Sequence, residues 1–474
     1  MSQSLVCLLL SLFLLTLWGC TDSPQTKPPA SVPGKQTLPP PPPPENPPAL
    51  TKQPQPAPAS PQKPSPKPID PWLSPNEKAL AERGIRRYAS DRITIYSDLP
   101  QDDVAPLPPL VDQFVRIVDE FLGSPPATLV NDSRPIVGYL MEDQQKFEAL
   151  KLLPNRIPPH HTGWHLDRTV WMQAQQQPYY QRHLLFHEVV HASLNSRIPR
   201  GLPPWLEEGL AELLATHRLV DNSLEWVAIP SSADELDGWR RIDDIRNHLK
   251  QSTAYTLEEI GAWTGEKYVT PEAYAWSWGL CFYLVKHPQH TEPFRKWLQK
   301  RLSQRDPLPP PWSDWSPEQR AEWNLYLMEL DYGLDLDSWA LSTSATPVES
   351  LKVFPVSADR GWQATGLNVT ADTTYAVEVS GEINLSKDSP DWTSTSRGIS
   401  IQYASGQPLG RLLARLLITD SNGGKQFGPV IPLGDLQTWK PGHSGELFLR
   451  INDSYADLDN NAGQFTVSII TESE

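Results

Sequence analysis

Cysteine is nearly absent from this chain: Cys7, Cys20 and Cys281 are the three in 474 residues. Cys7 is expected to leave with an N-terminal leader and Cys20 to be modified at the cleavage point, so Cys281 stands alone and no disulfide is available. Positive charge is also short, with 41 Lys and Arg against 56 Asp and Glu, for a formal net charge of −15. That balance argues against a nucleic-acid partner, because phosphates call for a basic face. Long apolar runs are missing beyond the leader, so nothing there is expected to cross a bilayer. The leader run itself, Leu5 to Leu17, is too short to span as a stable helix and reads as the core of a signal peptide.

Proline is what the chain has in excess, 51 residues in all. About twenty of them fall between Thr21 and Pro75, including the unbroken run Pro39 to Pro44. Such a stretch cannot bury a core, and polyproline II at ~3.1 Å per residue gives a tether reaching on the order of 150 Å. The leader ends in Leu17-Trp18-Gly19-Cys20. A small residue before Cys at that place resembles the bacterial lipoprotein lipobox. The resemblance implies cleavage before Cys20, lipidation of Cys20 and anchoring to a bacterial membrane through the lipid, on the periplasmic or cell-surface side. A plain secretory signal is the alternative. The expected organisation is a signal peptide over 1–19, a Pro-rich linker over 20–75, an α+β domain over 76–345 and a β-sandwich over 350–474.

The segment with the most chemistry is His187-Glu188-Val189-Val190-His191. The stretch Tyr180 to Leu194 holds no Gly or Pro and predicts a continuous helix, with Leu184, Leu185, Val189 and Val190 for burial. On a helix, His187 and His191 stack on one face, where two imidazoles can hold one zinc ion. Glu188 between them is placed to take a proton from water at that ion. A second helix is expected after Pro203-Pro204, running to about His217 before the polar Asp221-Asn222-Ser223. On it Glu208 and Glu212 share a face, and Gly209 lets two helices approach closely. Glu208 is assigned as the third ligand, with Glu212 supporting a ligand histidine through a hydrogen bond. Glu207 points about 100° away and is the fallback ligand. The same residues also fit two helices without metal, or an inactive relative that retains the ion.

H-E-x-x-H followed by W-L-x-E-G-x-A resembles the gluzincin zinc metallopeptidases, the group that contains thermolysin-like enzymes and many aminopeptidases. In that group the Glu before Gly is the third ligand, which matches Glu208. An acid one turn beyond supports a ligand His, which resembles Glu212. The 16 residues between His191 and Glu208 are slightly fewer than in the thermolysin-like and aminopeptidase branches, as in a peptidase-MA-like side branch.

Other residues near this site are less determined by pattern. Gly163 to Met172 is expected as an edge strand able to pair with an extended peptide, or as an ordinary strand of a small sheet. Tyr274, opening a helix from Glu272 to Lys286, is either a hydroxyl donor to an oxyanion or a packed aromatic. His183 reads as a supporting or surface residue, and His160, His161 and His165 as loop residues.

Alternating and helical patterns over 76–345 predict an α+β domain: a short helix at Asn76 to Glu82, a strand at Arg92 to Ser97, and a helical face at Val111, Phe114, Val115, Val118, Phe121 and Leu122. A second strand at Ile136 to Met141, a helix at Glu142 to Lys151 and then mainly helical signals follow. After about Ser350 the period changes to two. Leu367, Val369, Tyr375, Val377, Val379, Leu447, Leu449, Ile451, Phe465, Val467 and Ile469 alternate with polar residues, which predicts an antiparallel β-sandwich. The fold class expected is thus multidomain: an α+β zincin-like domain followed by an antiparallel β-sandwich, after a disordered tether.

The loop Asn452 to Gly463 crowds carboxylates and amides, the oxygen donors that calcium requires. It resembles the terminal loop of the calcium-dependent bacterial galactophilic lectins. That resemblance implies Ca²⁺ ligation by Asp453, Asp457, Asn460 and Asn461, with the Leu385 carbonyl as a further donor. The stretch corresponding to the sugar-contacting loop, Ser386 to Gly398, has no His, and only Trp392 is suited to stack on a sugar ring. A polar hairpin loop without an ion is the alternative.

The function expected is that of an envelope-anchored zinc metallopeptidase, with Glu188 as base, His187, His191 and Glu208 as zinc ligands, a peptide or protein substrate and a Ca²⁺-binding accessory domain. The alternatives are a non-catalytic lipoprotein that binds a glycan or partner while retaining a metal site, and a purely structural envelope protein.

Overall fold

The computed structural model describes residues 71–123, 134–154, 162–195, 197, 201–304, 306–339, 341, 346–347, 351–386, 392–434 and 437–472. All belong to one compact unit, Lys67–Glu474. The stretch expected as a signal peptide, Cys20, nearly all of the Pro-rich segment, His160, His161 and part of Ser386 to Gly398 lie outside the described residues. Among the described residues no helix is long and apolar enough to cross a membrane.

The first layer is a five-stranded sheet built from β1 (Arg86–Ala89), β2 (Ile93–Ser97), β3 (Ile136–Met141), β4 (Gly163–Leu166) and β5 (Thr169–Gln173), in the order β1-β2-β3-β5-β4. β2, β3 and β5 run parallel, and β1 and β4 close the edges antiparallel. Alternation sorts the side chains. Ile93, Ile95, Ile136 and Val170 join the large core, where Phe114 of the helix Leu107–Leu122 stacks on Phe186 with centroids 4.3 Å apart. Tyr96, Tyr139 and Trp171 face the other way and stack in a row, 5.5 and 6.0 Å between centroids, in a smaller core.

The expected helices form with modest changes at their ends. Asn76 caps Glu77–Ala81 through its side-chain oxygen. The histidine helix spans Pro178–Asn195 and the glutamate helix Pro204–Ala215, with Pro204 in its first turn. The latter stops before His217, earlier than expected. His217–Val220 and Ser223–Trp226 instead form a hairpin whose turn residues, Asp221 and Asn222, both take positive φ, 48° and 63°. Two left-handed residues match the twist of a two-residue hairpin turn, and Asp and Asn tolerate that conformation better than most.

The Arg241–Lys250 helix and the tyrosine helix, Pro271–Lys286, complete the layer behind the glutamate helix. Thr291–Ser303 and Pro317–Glu329 follow. The C-terminal part has two facing sheets. One orders Arg397–Ala404, Gln407–Thr419, Gly445–Ile451, Gln363–Val369 and Thr346–Pro347. The other orders Thr393–Ser394, Ile383–Asn384, Ala462–Thr471, Tyr375–Ser380 and Thr438–Trp439. Leu367, Val377, Leu412, Leu447, Phe465 and Val467 fill the space between them. The pairing is antiparallel except between Gln363–Val369 and Thr346–Pro347, which is parallel.

The two regions share core. Trp362, Leu413, Phe448 and Tyr455 pack in one cluster with Leu325 and Leu327 of the Pro317–Glu329 helix and with Leu330 and Leu334 just after it. At the same junction Glu329 accepts hydrogen bonds from Arg415 (2.8 Å), Arg450 (2.9 Å) and Tyr455 (2.8 Å).

Candidate metal centre

The histidine helix is buried along almost its whole length, and His187, Glu188 and His191 are all inside. Nε2 of His187 and Nε2 of His191 lie 3.0 Å apart. The glutamate helix crosses beside them and presents Glu208, whose Oε2 is 3.3 Å from His187 Nε2 and 3.4 Å from His191 Nε2. That oxygen is buried and faces both rings at once. The close approach depends on Gly209: a Cβ there would meet Cys281 Sγ and the Ser277 carbonyl of the tyrosine helix, each at 2.5 Å.

Three atoms at 3.0–3.4 Å from one another are spaced as ligands of one small cation. For tetrahedral zinc with ligands at ~2.0–2.1 Å, neighbouring ligand atoms are about 3.3 Å apart. Two imidazoles and a carboxylate are also the donor types zinc prefers, and three of them leave a position open. The residues present therefore fit the ion.

A second ring of groups fixes these donors. Glu212 Oε1 lies 3.1 Å from His187 Nδ1, and its Oε2 lies 3.1 Å from His183 Nε2. Arg241 clamps the same carboxylate with Nε at 2.8 Å from Oε2 and Nη2 at 3.0 Å from Oε1. His183 also faces the Ala215 carbonyl at 3.2 Å, so it is a buried support and not a surface residue. Glu207 sits behind His191, with Oε1 3.7 Å from Nδ1, and is outside the triangle.

Electrostatics follow from this packing. Burial opposes charge on His187, but hydrogen bonding to Glu208 and Glu212 outweighs it and raises the pKa to about 9. Burial would raise the Glu208 pKa, yet the adjacent His191 charge and the hydrogen bonds to both rings pull it down to about 2. Burial likewise opposes ionisation of Glu212, and the Arg241 guanidinium overcomes it and holds Glu212 well below the carboxylate range. Glu208 and Glu212 are thus kept ionised in a site that would otherwise disfavour charge.

The triangle opens into a cleft of about 620 Å³ walled by β4, the histidine helix, Glu207, Tyr268 and Tyr274. Glu188 reaches across it: Oε2 is 3.3 Å from His165 Nδ1, and Oε1 lies against Gly163, where any side chain would collide with it. His165 is on β4 and not in a loop, and its ring stacks on His191 with centroids 4.4 Å apart. Tyr274 packs edge-on to His187 at 5.8 Å and lies under the Arg241 guanidinium at 5.7 Å, with its hydroxyl made less acidic first by burial and then by Glu208. Both expected roles for Tyr274, wall residue and cleft hydroxyl, concern the same place. His165, Tyr268 and Arg241 are the site residues that sequence pattern does not single out.

In the C-terminal loop, Tyr455–Asn460 forms a 3₁₀ turn. Asp453 and Asn461 meet there, with Asn461 Nδ2 donating to Asp453 Oδ2 at 2.9 Å. Oδ1 of Asn460 and Oδ1 of Asn461 are buried acceptors without a partner among the described residues. Strand pairing of Asn384 with Ala462 brings Leu385 beside Asn461. Asp457 is exposed. Orphaned amide oxygens beside a buried carboxylate are a donor set that fits a hard cation.

Residues 183–309 match the family described as "Protein of unknown function (DUF1570)". No curated protein matches the chain. Among solved structures, the chain is similar to one described as "EclA N-terminal domain; PllA-like lectin", at 22% identity over 26% of this chain and 99% of that one, with a TM-score of 0.20.

Proposed function

We propose that this chain is a zinc-dependent metallopeptidase of gluzincin type, with His187, His191 and Glu208 as zinc ligands. The observation that carries the reading is the near-equilateral triangle of His187 Nε2, His191 Nε2 and Glu208 Oε2 at the floor of an open cleft. Zinc held there would supply Lewis acidity toward a carbonyl and make water more acidic. Glu188 is the base, because its carboxylate is directed into the cleft beside the triangle by Gly163 and His165. Glu212 and Arg241 keep the His187 ring oriented with Nε2 toward the shared point. Tyr274 lines the cleft, and its hydroxyl would donate to charge developing on a carbonyl oxygen. Among the described residues β4 is the last strand of its sheet, beyond β5, and that edge would be where an extended peptide aligns. The arrangement of a mixed sheet over the two helices is read as zincin-like.

The accessory reading is that Asp453, Asp457, Asn460 and Asn461 hold calcium in the sandwich. The leader, with Cys20 as the lipidated residue, would anchor the protein to a bacterial envelope membrane. The experiment is digestion of a peptide library by the purified chain with and without a chelator. Cleavage that stops on chelation and returns with zinc supports the reading. Zinc-loaded protein that cleaves no peptide while binding a glycan or protein partner contradicts it.

A further inference from the structure

A second group of metal-binding residues lies away from the cleft, where three helices meet. His287 caps the C-terminus of the tyrosine helix, His290 precedes the first turn of Thr291–Ser303, and Glu322 is on Pro317–Glu329. One ligand atom from each lies within 4.8 Å of the other two, and His287 Nε2 is 3.6 Å from Glu322 Oε2. All three are buried: His287 and His290 at 3% exposure and Glu322 at 8%.

Three observations show that this cluster is incomplete as protein alone. Nε2 of His290 and Oε2 of Glu322 are buried and have no hydrogen-bond partner among the described residues. The hydroxyl of Tyr283, fully buried, is also without one, and its ring is 4.8 Å from His287 and 5.2 Å from His290. No Lys or Arg among the described residues pairs with Glu322, so its charge is unbalanced. Burial accordingly pushes Glu322 up to about 7, with Glu318 adding repulsion, and pushes His287 and His290 down to about 3 and about 4. Buried polar atoms left without partners in one cluster of two imidazoles and a carboxylate call for an explanation beyond packing.

We propose that His287, His290 and Glu322 bind a second zinc ion, with a structural role and with Tyr283 or water as the fourth donor. Two imidazoles and one carboxylate suit zinc better than calcium or magnesium, which prefer all-oxygen sets. The ion balances the Glu322 charge and satisfies Nε2 of His290. Its cost is small: the Gln289 amide approaches His287 Nδ1 at 3.3 Å, a long contact that is lost when Nδ1 carries the proton and Nε2 ligates. Trp315 stacks on His290 at 4.5 Å and helps to close the site from water. By tying three helices together, this zinc fixes the far end of the helix that packs against Gly209 and carries Tyr274.

The test uses the full chain as wild type, as His187→Ala/His191→Ala, and as that double variant with His290→Gln added. Each is stripped with chelator, titrated with Zn²⁺ or Co²⁺, and melted. The inference expects one equivalent bound by the double variant, a tetrahedral Co²⁺ spectrum and a higher Tm with metal, all lost on adding His290→Gln. If the triple variant does not fold, the double variant alone decides. A double variant that binds no metal and melts identically with and without it overturns the second site and leaves a neutral acid–imidazole pair. Wild type holding one equivalent that survives His187→Ala/His191→Ala but not His290→Gln supports this site and overturns the cleft site instead, so the two failures are distinct.

Discussion

Glu212 Oε1 lies 3.1 Å from Nδ1 of His187, and the same carboxylate is clamped by Arg241 at 2.8 and 3.0 Å. The ring nitrogen that faces the shared point is therefore set by a group that never touches it. Glu212→Gln is expected to weaken zinc binding by about 10- to 100-fold, measured by competition with a coloured chelator. Unchanged affinity in a folded Glu212→Gln protein would remove this support from the account.

Gly209 sets how closely the glutamate and tyrosine helices approach. Gly209→Ala places a methyl 2.5 Å from both Cys281 Sγ and the Ser277 carbonyl. The expected cost is about 1–3 kcal/mol in denaturant unfolding, with weaker zinc retention because Glu208 moves with its helix. A variant as stable as wild type, with equal zinc affinity, would show that the contact has slack.

Glu329 ties the helical part to the sandwich through Arg415 and Arg450. Burial opposes its ionisation, but the two guanidiniums prevail and lower its pKa on folding. A carboxyl with a lowered folded pKa stabilises above its unfolded value, about 4.3, and that stability is lost as pH falls toward the folded value. Acid unfolding monitored by circular dichroism should therefore include a Glu329-dependent component below about pH 4.3 that Glu329→Gln removes. At neutral pH, Glu329→Ala is expected to cost about 3–5 kcal/mol, since two buried cations lose their partner. An acid profile identical in both proteins counts against the tie.

Calcium binding in the sandwich predicts that Ca²⁺ raises the melting temperature and that Asp453→Asn abolishes the rise. Calorimetry of the full chain with Ca²⁺ and with EGTA measures this. A Tm insensitive to Ca²⁺ in wild type would leave the loop as a hydrogen-bonded turn closed by Asn461 and Asp453.

Much of the site is legible in the sequence because it is local. Four-residue spacing on a helix fixes where His187 and His191 point, and the Glu-Gly pair announces Glu208 beside a close helix contact. The strand Tyr375–Ser380 is legible for the same reason, with Tyr375 and Val377 turned to the core and Ala376 and Glu378 away from it. What escapes is set by tertiary packing. His165 reaches Glu188 only because β4 folds back on β5. Arg241 is 29 residues from Glu212 in sequence, and nothing in its neighbours marks it. The strand Gln407–Thr419 is missed by alternation because Leu412–Leu417 is buried on both faces, packing in the sandwich on one side and against the helical region on the other.

The central claim is that His187, His191 and Glu208 hold zinc for Glu188 to use. The most direct measurement is zinc content and peptide hydrolysis of wild type and Glu188→Gln, both kept as full chains. The account predicts equal zinc at the cleft site and a fall in kcat of at least ~100-fold in the variant. A Glu188→Gln protein that hydrolyses peptides as fast as wild type, or a wild type whose cleft takes up no zinc, contradicts it.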